Sequence, residues 1–192
     1  MSPLPRSFYR RDTVEVAKDL LGKVLVRKIG QYRISGVISE TEAYGHKNDP
    51  ASHSFRGVTQ RNKAMFGEVG KAYVYFTYGM HYCVNAVAKD PEEEAGAVLI
   101  RALVPWSGVG FMMKQRKTLI FSDLTSGPAK TAQALKITKE QYGEDLTKNS
   151  GLYIVNCFLL DESMIESRQR IGIQEATKNL WNFRISRDYY DH

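Results

Sequence analysis

The stretch Tyr73-Val74-Tyr75-Phe76-Thr77-Tyr78-Gly79-Met80-His81-Tyr82-Cys83-Val84-Asn85 admits few structures. Two runs of aromatic and β-branched residues flank a single glycine, which is the pattern of two antiparallel strands joined by a tight turn. The turn itself is unusual. Turns are commonly built from Asn, Asp, Gly or Ser, yet here Tyr78 and Met80 stand on either side of Gly79. A large aromatic and a flexible thioether at a turn make an apolar wedge, and in a basic protein one use of a wedge is insertion between base pairs. The commoner use is packing back onto the protein's own core. This stretch alone leaves both open.

Other segments add strands and a few helices. Asp12 and Glu15 have capping-box spacing, Val16, Ala17, Leu20 and Leu21 recur at helical intervals, and Gly22 is a natural stop. Lys23–Lys28 reads as a strand, Gly30-Gln31 as a turn, and Tyr32–Tyr44 as a longer strand. Alternation places Ile34, Gly36, Ile38, Glu40, Glu42 and Tyr44 on one face, as if the strand ran from core into cleft. Gly45–Gly70 is a long polar connection holding Arg56, Arg61 and Lys63, and long aperiodic loops are usually functional or mobile. Ala97–Val104 is another strand, Phe111–Ile120 a helix, and Leu152–Leu160 a buried strand. Arg170–Ile173 reads as a short strand and Trp181–Ile185 as a last extended piece. Ser126-Gly127-Pro128 opens a further helix, whose first turn, with Lys130, is placed to grip a phosphate, although a plain helix start is commoner. Strands outnumber helices and come as hairpins. The expected class is therefore α+β: one domain over residues 1–192, with a curved, largely antiparallel sheet, flanking helices and a protruding hairpin.

The chemistry available is narrow. No apolar run approaches a membrane span and no signal peptide is evident, so an intracellular protein without membrane contact is expected. Cys83 and Cys157 are isolated, and His46, His53, His81 and His192 lack metalloprotease spacing, so no metal is expected. Phosphate-binding and dinucleotide-binding glycine motifs are missing, and no nucleotide cofactor is expected. The net charge of +6 suits a polyanionic partner, or simply a solvated basic surface. Arg101, set within Val98-Leu99-Ile100, needs a partner because an unpaired buried charge is costly. Glu42 is the obvious candidate. Such a pair is either a plain structural ion pair or a carboxylate held ready to activate water.

Several motifs in register carry a resemblance. Glu40-Thr41-Glu42-Ala43-Tyr44, His53-Ser54, Arg61-Asn62, Met65-Phe66, Tyr73-Val74-Tyr75 and Tyr78-Gly79-Met80 through Asn85 resemble the alkyladenine (3-methyladenine) DNA glycosylase family. So do Leu99-Ile100-Arg101-Ala102-Leu103, Ser126-Gly127-Pro128 with Lys130 and Gln133-Ala134-Leu135, and Arg170-Ile171-Gly172-Ile173. The resemblance implies removal of damaged purines from duplex DNA by base flipping and hydrolysis of the N-glycosidic bond. It makes Glu42 the general base, with Arg101 and the backbone carbonyl of Ile171 completing the water site. Tyr44 and Tyr75 would sandwich the base with His53 at its edge, and Asn85 would collide with the amino group of normal guanine. Tyr78 would fill the gap in the stack beside Met80, and Lys130 would contact DNA. At ~3.3 Å per residue Tyr75 lies roughly 10 Å behind Tyr78, so one can line a pocket while the other occupies the duplex. The implied protein is a monomer without metal or cofactor, cytoplasmic at the nucleoid, or nuclear in a eukaryote. No lysine stands at a nucleophile position, so lyase activity is not implied. Thr131 replaces a usual Leu, residues 179–184 lack a usual proline, and Asp188–His192 lacks a closing strand. Two other classes compete: a non-catalytic nucleic-acid-binding module, which has no use for a carboxylate facing phosphates, and a hydrolase of free nucleosides, which has none for a wedge.

Overall fold

A computed structural model describes residues 2–186. The C-terminal tail expectation, Asp188–His192, lies outside them. The centre is one curled antiparallel sheet of eight strands, with helices beside it, an α+β arrangement. Its strands are β1 (Val24–Ile29), β2 (Tyr32–Tyr44), β3 (Ala72–Thr77), β4 (His81–Val87), β5 (Ala97–Ser107), β6 (Leu152–Val155), β7 (Ile165–Arg168) and β8 (Asn182–Ile185). The order is β3-β4-β5-β2-β1-β6, and β8 pairs with both β2 and β7. β2 is the spine. β5 follows one of its edges, while β1 takes the first half of the other edge and β8 the second half.

Helix α1 (Arg6–Tyr9) leads into α2 (Thr13–Asp19), which is capped as its sequence suggests. The Asp12 carboxylate accepts from the N–H groups of Val14 (2.9 Å) and Glu15 (3.1 Å). Val16, Ala17, Leu20 and Leu21 enter the core, and the Thr41 hydroxyl donates to the Ala17 carbonyl at 2.7 Å, fixing α2 on β2. Short α3 (Lys63–Phe66) lies within the long loop, α4 (Val109–Arg116) follows β5, and α5 (Pro128–Ala134) packs on β4 and β5. Pro128 opens α5 as expected.

Four expectations need correction. The first concerns β2. The partner of Ile38 is Leu103 and that of Glu40 is Ala102, so Ser39 is an extra residue. Thr41 then pairs with Ile100, which leaves Arg101 as an extra residue on β5. Ile34 and Ile38 face the main core, but beyond the bulge it is Ala43 that does so, with Thr41 reaching α2. Glu40, Glu42 and Tyr44 therefore lie on the face opposite Ile34 and Ile38. Second, Arg170–Ile173 is a turn rather than a strand. Gly172 has φ 79, and the Ile171 N–H bonds a side chain instead of a neighbouring strand. Third, the strand beginning at Leu152 stops at Val155, because its partner β1 begins opposite it at Val24. Fourth, the helix placed at Phe111–Ile120 runs from Val109 to Arg116. It is closed by Lys117, whose φ is 52 and whose N–H bonds the Met113 carbonyl.

Candidate active site

The bulged crossing of β2 and β5 aims one set of polar side chains beneath a cavity of about 380 Å³. Tyr44, His53, Tyr75, Asn85, Arg101 and Ile171 line it, and Tyr78 reaches its rim. Seven expected site residues therefore converge here from five segments of chain. Glu42 lies just under this lining and is wholly buried.

Each Glu42 oxygen accepts two hydrogen bonds. Oε1 accepts from the Ile171 N–H (2.7 Å) and Asn182 Nδ2 (3.1 Å), and Oε2 from the Tyr44 hydroxyl (2.8 Å) and Arg101 Nη1 (3.1 Å). Ile171 thus meets Glu42 through its backbone N–H. Arg101 Nε also donates to Glu40 Oε1 at 3.2 Å, and Asn182 Nδ2 donates to the same oxygen at 2.7 Å. Two carboxylates thus share one guanidinium, a cluster with one excess negative charge. Thr131 contributes from α5: its hydroxyl lies 3.1 Å from the Arg101 carbonyl, steadying the β5 bulge. The side chain that departs from the family pattern has a polar task as well as a packing one.

The aromatic walls are fixed from behind. Arg170 forms a fully buried bidentate pair with Asp49 (2.6 and 2.7 Å) and donates to the Ala43 carbonyl at 2.9 Å. Its guanidinium lies 4.7 Å from the centre of the Tyr44 ring and 5.1 Å from Trp181. Asp49 also accepts from the Gly45 N–H at 2.9 Å, tying the loop start to the same point. On the other wall, Tyr75 meets His53 edge to face at 4.7 Å, and His53 Nδ1 sits 2.9 Å from the Tyr73 hydroxyl. Desolvation on the side of the ring turned to the cavity, then the charge of Arg61, lowers the His53 imidazole below its ordinary pKa. Burial, and then Glu42, raises the Tyr44 phenol, which stays protonated and can donate. Asn85 is anchored through Nδ2 to the Tyr73 carbonyl at 2.9 Å.

Two expected DNA contacts lie elsewhere. Met80 is outside the cavity, on the β3–β4 turn, where it is 68% exposed and Tyr78 is 85% exposed. Both Tyr78 (φ 50) and Gly79 (φ 66) are left-handed, which matches the twist of paired strands but is unusual for a tyrosine. Lys130 pairs with Asp123 and lies 3.2 Å from the Ser126 hydroxyl, so its ammonium is already engaged. Asp49, Arg170 and Asn182 were not expected at the site. Arg170 had one local signal, a charge beside Ile171 and Ile173, but Asp49 resembled a turn residue before Pro50 and Asn182 had none. Among the described residues no three or more His, Cys, Asp or Glu side chains gather as for a metal ion, and no helix is long and apolar enough to cross a membrane.

A buried carboxylate under an aromatic-walled cavity is the form of site that suits a flat ring system. The methylpurine-DNA glycosylase (MPG) family model matches residues 7–189. The chain is 46% identical over 187 residues to a protein of Carboxydothermus hydrogenoformans named "Putative 3-methyladenine DNA glycosylase", covering 97% of each. Proteins of the same name from Chlorobium phaeovibrioides (45%; 94% of this chain, 92% of the relative) and Clostridium botulinum strain Langeland (41%; 95% of each) are also similar. The chain belongs to the methylpurine-DNA glycosylase family, and is a DNA glycosylase of DNA repair.

Proposed function

We propose that this protein is a monofunctional glycosylase that turns alkylated or deaminated purines out of duplex DNA and hydrolyses their N-glycosidic bond, leaving an abasic site. The substrates are 3-methyladenine, 7-methylguanine, hypoxanthine and ethenoadenine. The observation that carries this reading is Glu42, wholly buried, held by Arg101 and lying directly under the cavity. Water oxygen bonds to C1′, its proton passes to Glu42, and the C1′–N9 electron pair departs with the base. The Glu42 charge also favours the oxocarbenium-like sugar. Since a carboxylate has about four lone-pair sites and all are occupied, the water must replace a donor. The Tyr44 hydroxyl is the cheapest to displace: it turns about one bond, whereas Ile171 donates from the backbone and Arg101 carries charge. No lysine lines the cavity among the described residues, which supports hydrolysis without a Schiff base.

Tyr44 and Tyr75 hold the base between them, His53 meets its edge, and Asn85 blocks the amino group of guanine. The anchored Asn85 amide cannot swing aside, so Asn85→Ser is expected to raise guanine release from undamaged duplex by roughly tenfold. Release at background, with hypoxanthine excision unchanged, would remove Asn85 from this role. Tyr78 enters the stack behind the flipped base. Stacking of one ring is worth about 1–3 kcal/mol, so Tyr78→Ala should slow hypoxanthine excision from paired duplex by about tenfold or more. The loss should shrink at mismatches and nearly vanish in single strands. Equal losses on all three substrates with a lowered melting temperature would instead mark a packing role.

The test of the whole reading is base release from duplex DNA holding one hypoxanthine, beside free inosine. Release from the duplex alone is expected. Tight binding without release would identify a binding module, and comparable cleavage of inosine a nucleoside hydrolase.

A further inference from the structure

Both aromatic walls of the cavity carry a guanidinium on the side turned away from it, since Tyr44 and Tyr75 line the cavity while Arg170 and Arg61 do not. The two arginines differ in charge balance. Arg170 is neutralised by Asp49. Arg61, 5.2 Å from the centre of the Tyr75 ring, donates only to the Phe76 carbonyl (3.2 Å) and has no carboxylate partner among the described residues. We propose that Arg61 sets the cavity's preference between neutral and positively charged purines, acting through Tyr75. This rests on the purine-pocket reading above.

A base stacked on the inner face of Tyr75 would lie roughly 9 Å from the guanidinium, allowing about 3.5 Å for the stack. That is comparable with the Debye length, and although Arg61 is itself solvent-exposed, the intervening ring excludes water from the line between the two. The charge is felt at this depth: it helps push His53 below its ordinary pKa and pulls against the burial that raises Tyr73. At the opposite end the Glu40–Arg101–Glu42 cluster has one excess negative charge. The cavity is thus polarised, negative beneath the sugar and positive behind the base.

Cleavage moves one electron pair onto the base whichever lesion is bound. Hypoxanthine leaves as an N9 anion, which then takes a proton from solvent, while cationic 7-methylguanine leaves neutral. At every stage the methylated base is one unit more positive. The potential of Arg61 therefore favours hypoxanthine and opposes 7-methylguanine. A phosphate contact by Arg61 would affect both lesions alike and cancel in their ratio.

The experiment is single-turnover excision of 7-methylguanine and of hypoxanthine from otherwise identical duplexes, compared as the second-order constant at sub-saturating protein. The charge difference acts on taking the base into the cavity and cancels in the bond-breaking step. Arg61→Met, which deletes the charge and keeps the stem, is expected to raise the 7-methylguanine to hypoxanthine ratio about 3- to 10-fold. Arg61→Gln should do the same, and Arg61→Lys should stay within about 2-fold of the parent, because the charge is retained. If Arg61→Met and Arg61→Gln both leave the ratio unchanged, with both bases still released, the inference is overturned alone. A parent protein that releases neither base overturns the glycosylase reading, and the inference with it.

Discussion

Glu42→Gln should lower single-turnover excision of hypoxanthine by 10²–10⁴-fold, roughly the contribution of a general base, with a further loss from the missing charge. Duplex binding should change little, because Glu42 is wholly buried under the cavity lining and does not face DNA. The amide is not a silent replacement. Four donors converge on the carboxylate, and a glutamine presents its own N–H groups to two of them. Asn182 can flip and the Tyr44 hydroxyl can turn to accept, but Ile171 and Arg101 cannot. A stability loss of about 1–3 kcal/mol is therefore expected beside the catalytic one. Rates should be compared well below the melting temperature of the variant. Near-parental turnover would transfer the chemistry to another group, and Glu40, which shares Arg101 and Asn182, is the first to test next.

The largest stability effect is expected at Asp49→Ala. It leaves the Arg170 guanidinium buried without its counter-charge, a situation that typically costs 3–5 kcal/mol. For a chain of this size that corresponds to a fall of roughly 6–20 °C in melting temperature. Asp49→Asn, which retains an acceptor, should lose less. Activity should fall further than stability accounts for, since Arg170 backs Tyr44 and directly precedes the Ile171 N–H that holds Glu42. A melting change of under about 2 °C would mean that the Tyr44 and Trp181 rings and the Ala43 carbonyl hold Arg170 on their own.

Local pattern made part of this legible. β2 falls where a β-branched and aromatic run follows a Gly-containing turn, and α2 where a capping Asp precedes helical spacing. The Glu42–Arg101 pair was legible because a guanidinium in an apolar strand must find an anion. The roles of Tyr44, His53, Tyr75, Tyr78 and Asn85 came from resemblance, not from spacing. What stayed hidden was non-local. Ser39 and Arg101 leave no mark as bulges, since nothing in their types says that they are extra. Ile171 and Ile173 imitate a strand, but Arg170 is bound into a pair with a residue 121 positions away. Asn182 joins Glu42 from 140 positions away, a meeting made by the β2–β8 ladder that no local window contains.

The two bulges have a consequence for how such a chain can change. Each strand gains one residue at the crossing, so the pairing offsets cancel: Ile38 meets Leu103 before it and Thr41 meets Ile100 after it, with the same sum of residue numbers. What does not cancel is parity. On β2 the even positions 34 and 38 belong to the core, and beyond Ser39 the even positions 42 and 44 belong to the site. Losing Ser39 and Arg101 together would restore an unbroken ladder and, because each bulge absorbs one residue, would leave Glu42 and Tyr44 on the site face, but it would take away the guanidinium that holds Glu42. Losing one alone would leave the two halves of the ladder offset by a residue. What would invert the site is pairing the extra residues into the ladder without removing them, which would turn Glu42 and Tyr44 toward α2 and offer Thr41 and Ala43 to the cavity, so the two bulges have to persist as bulges.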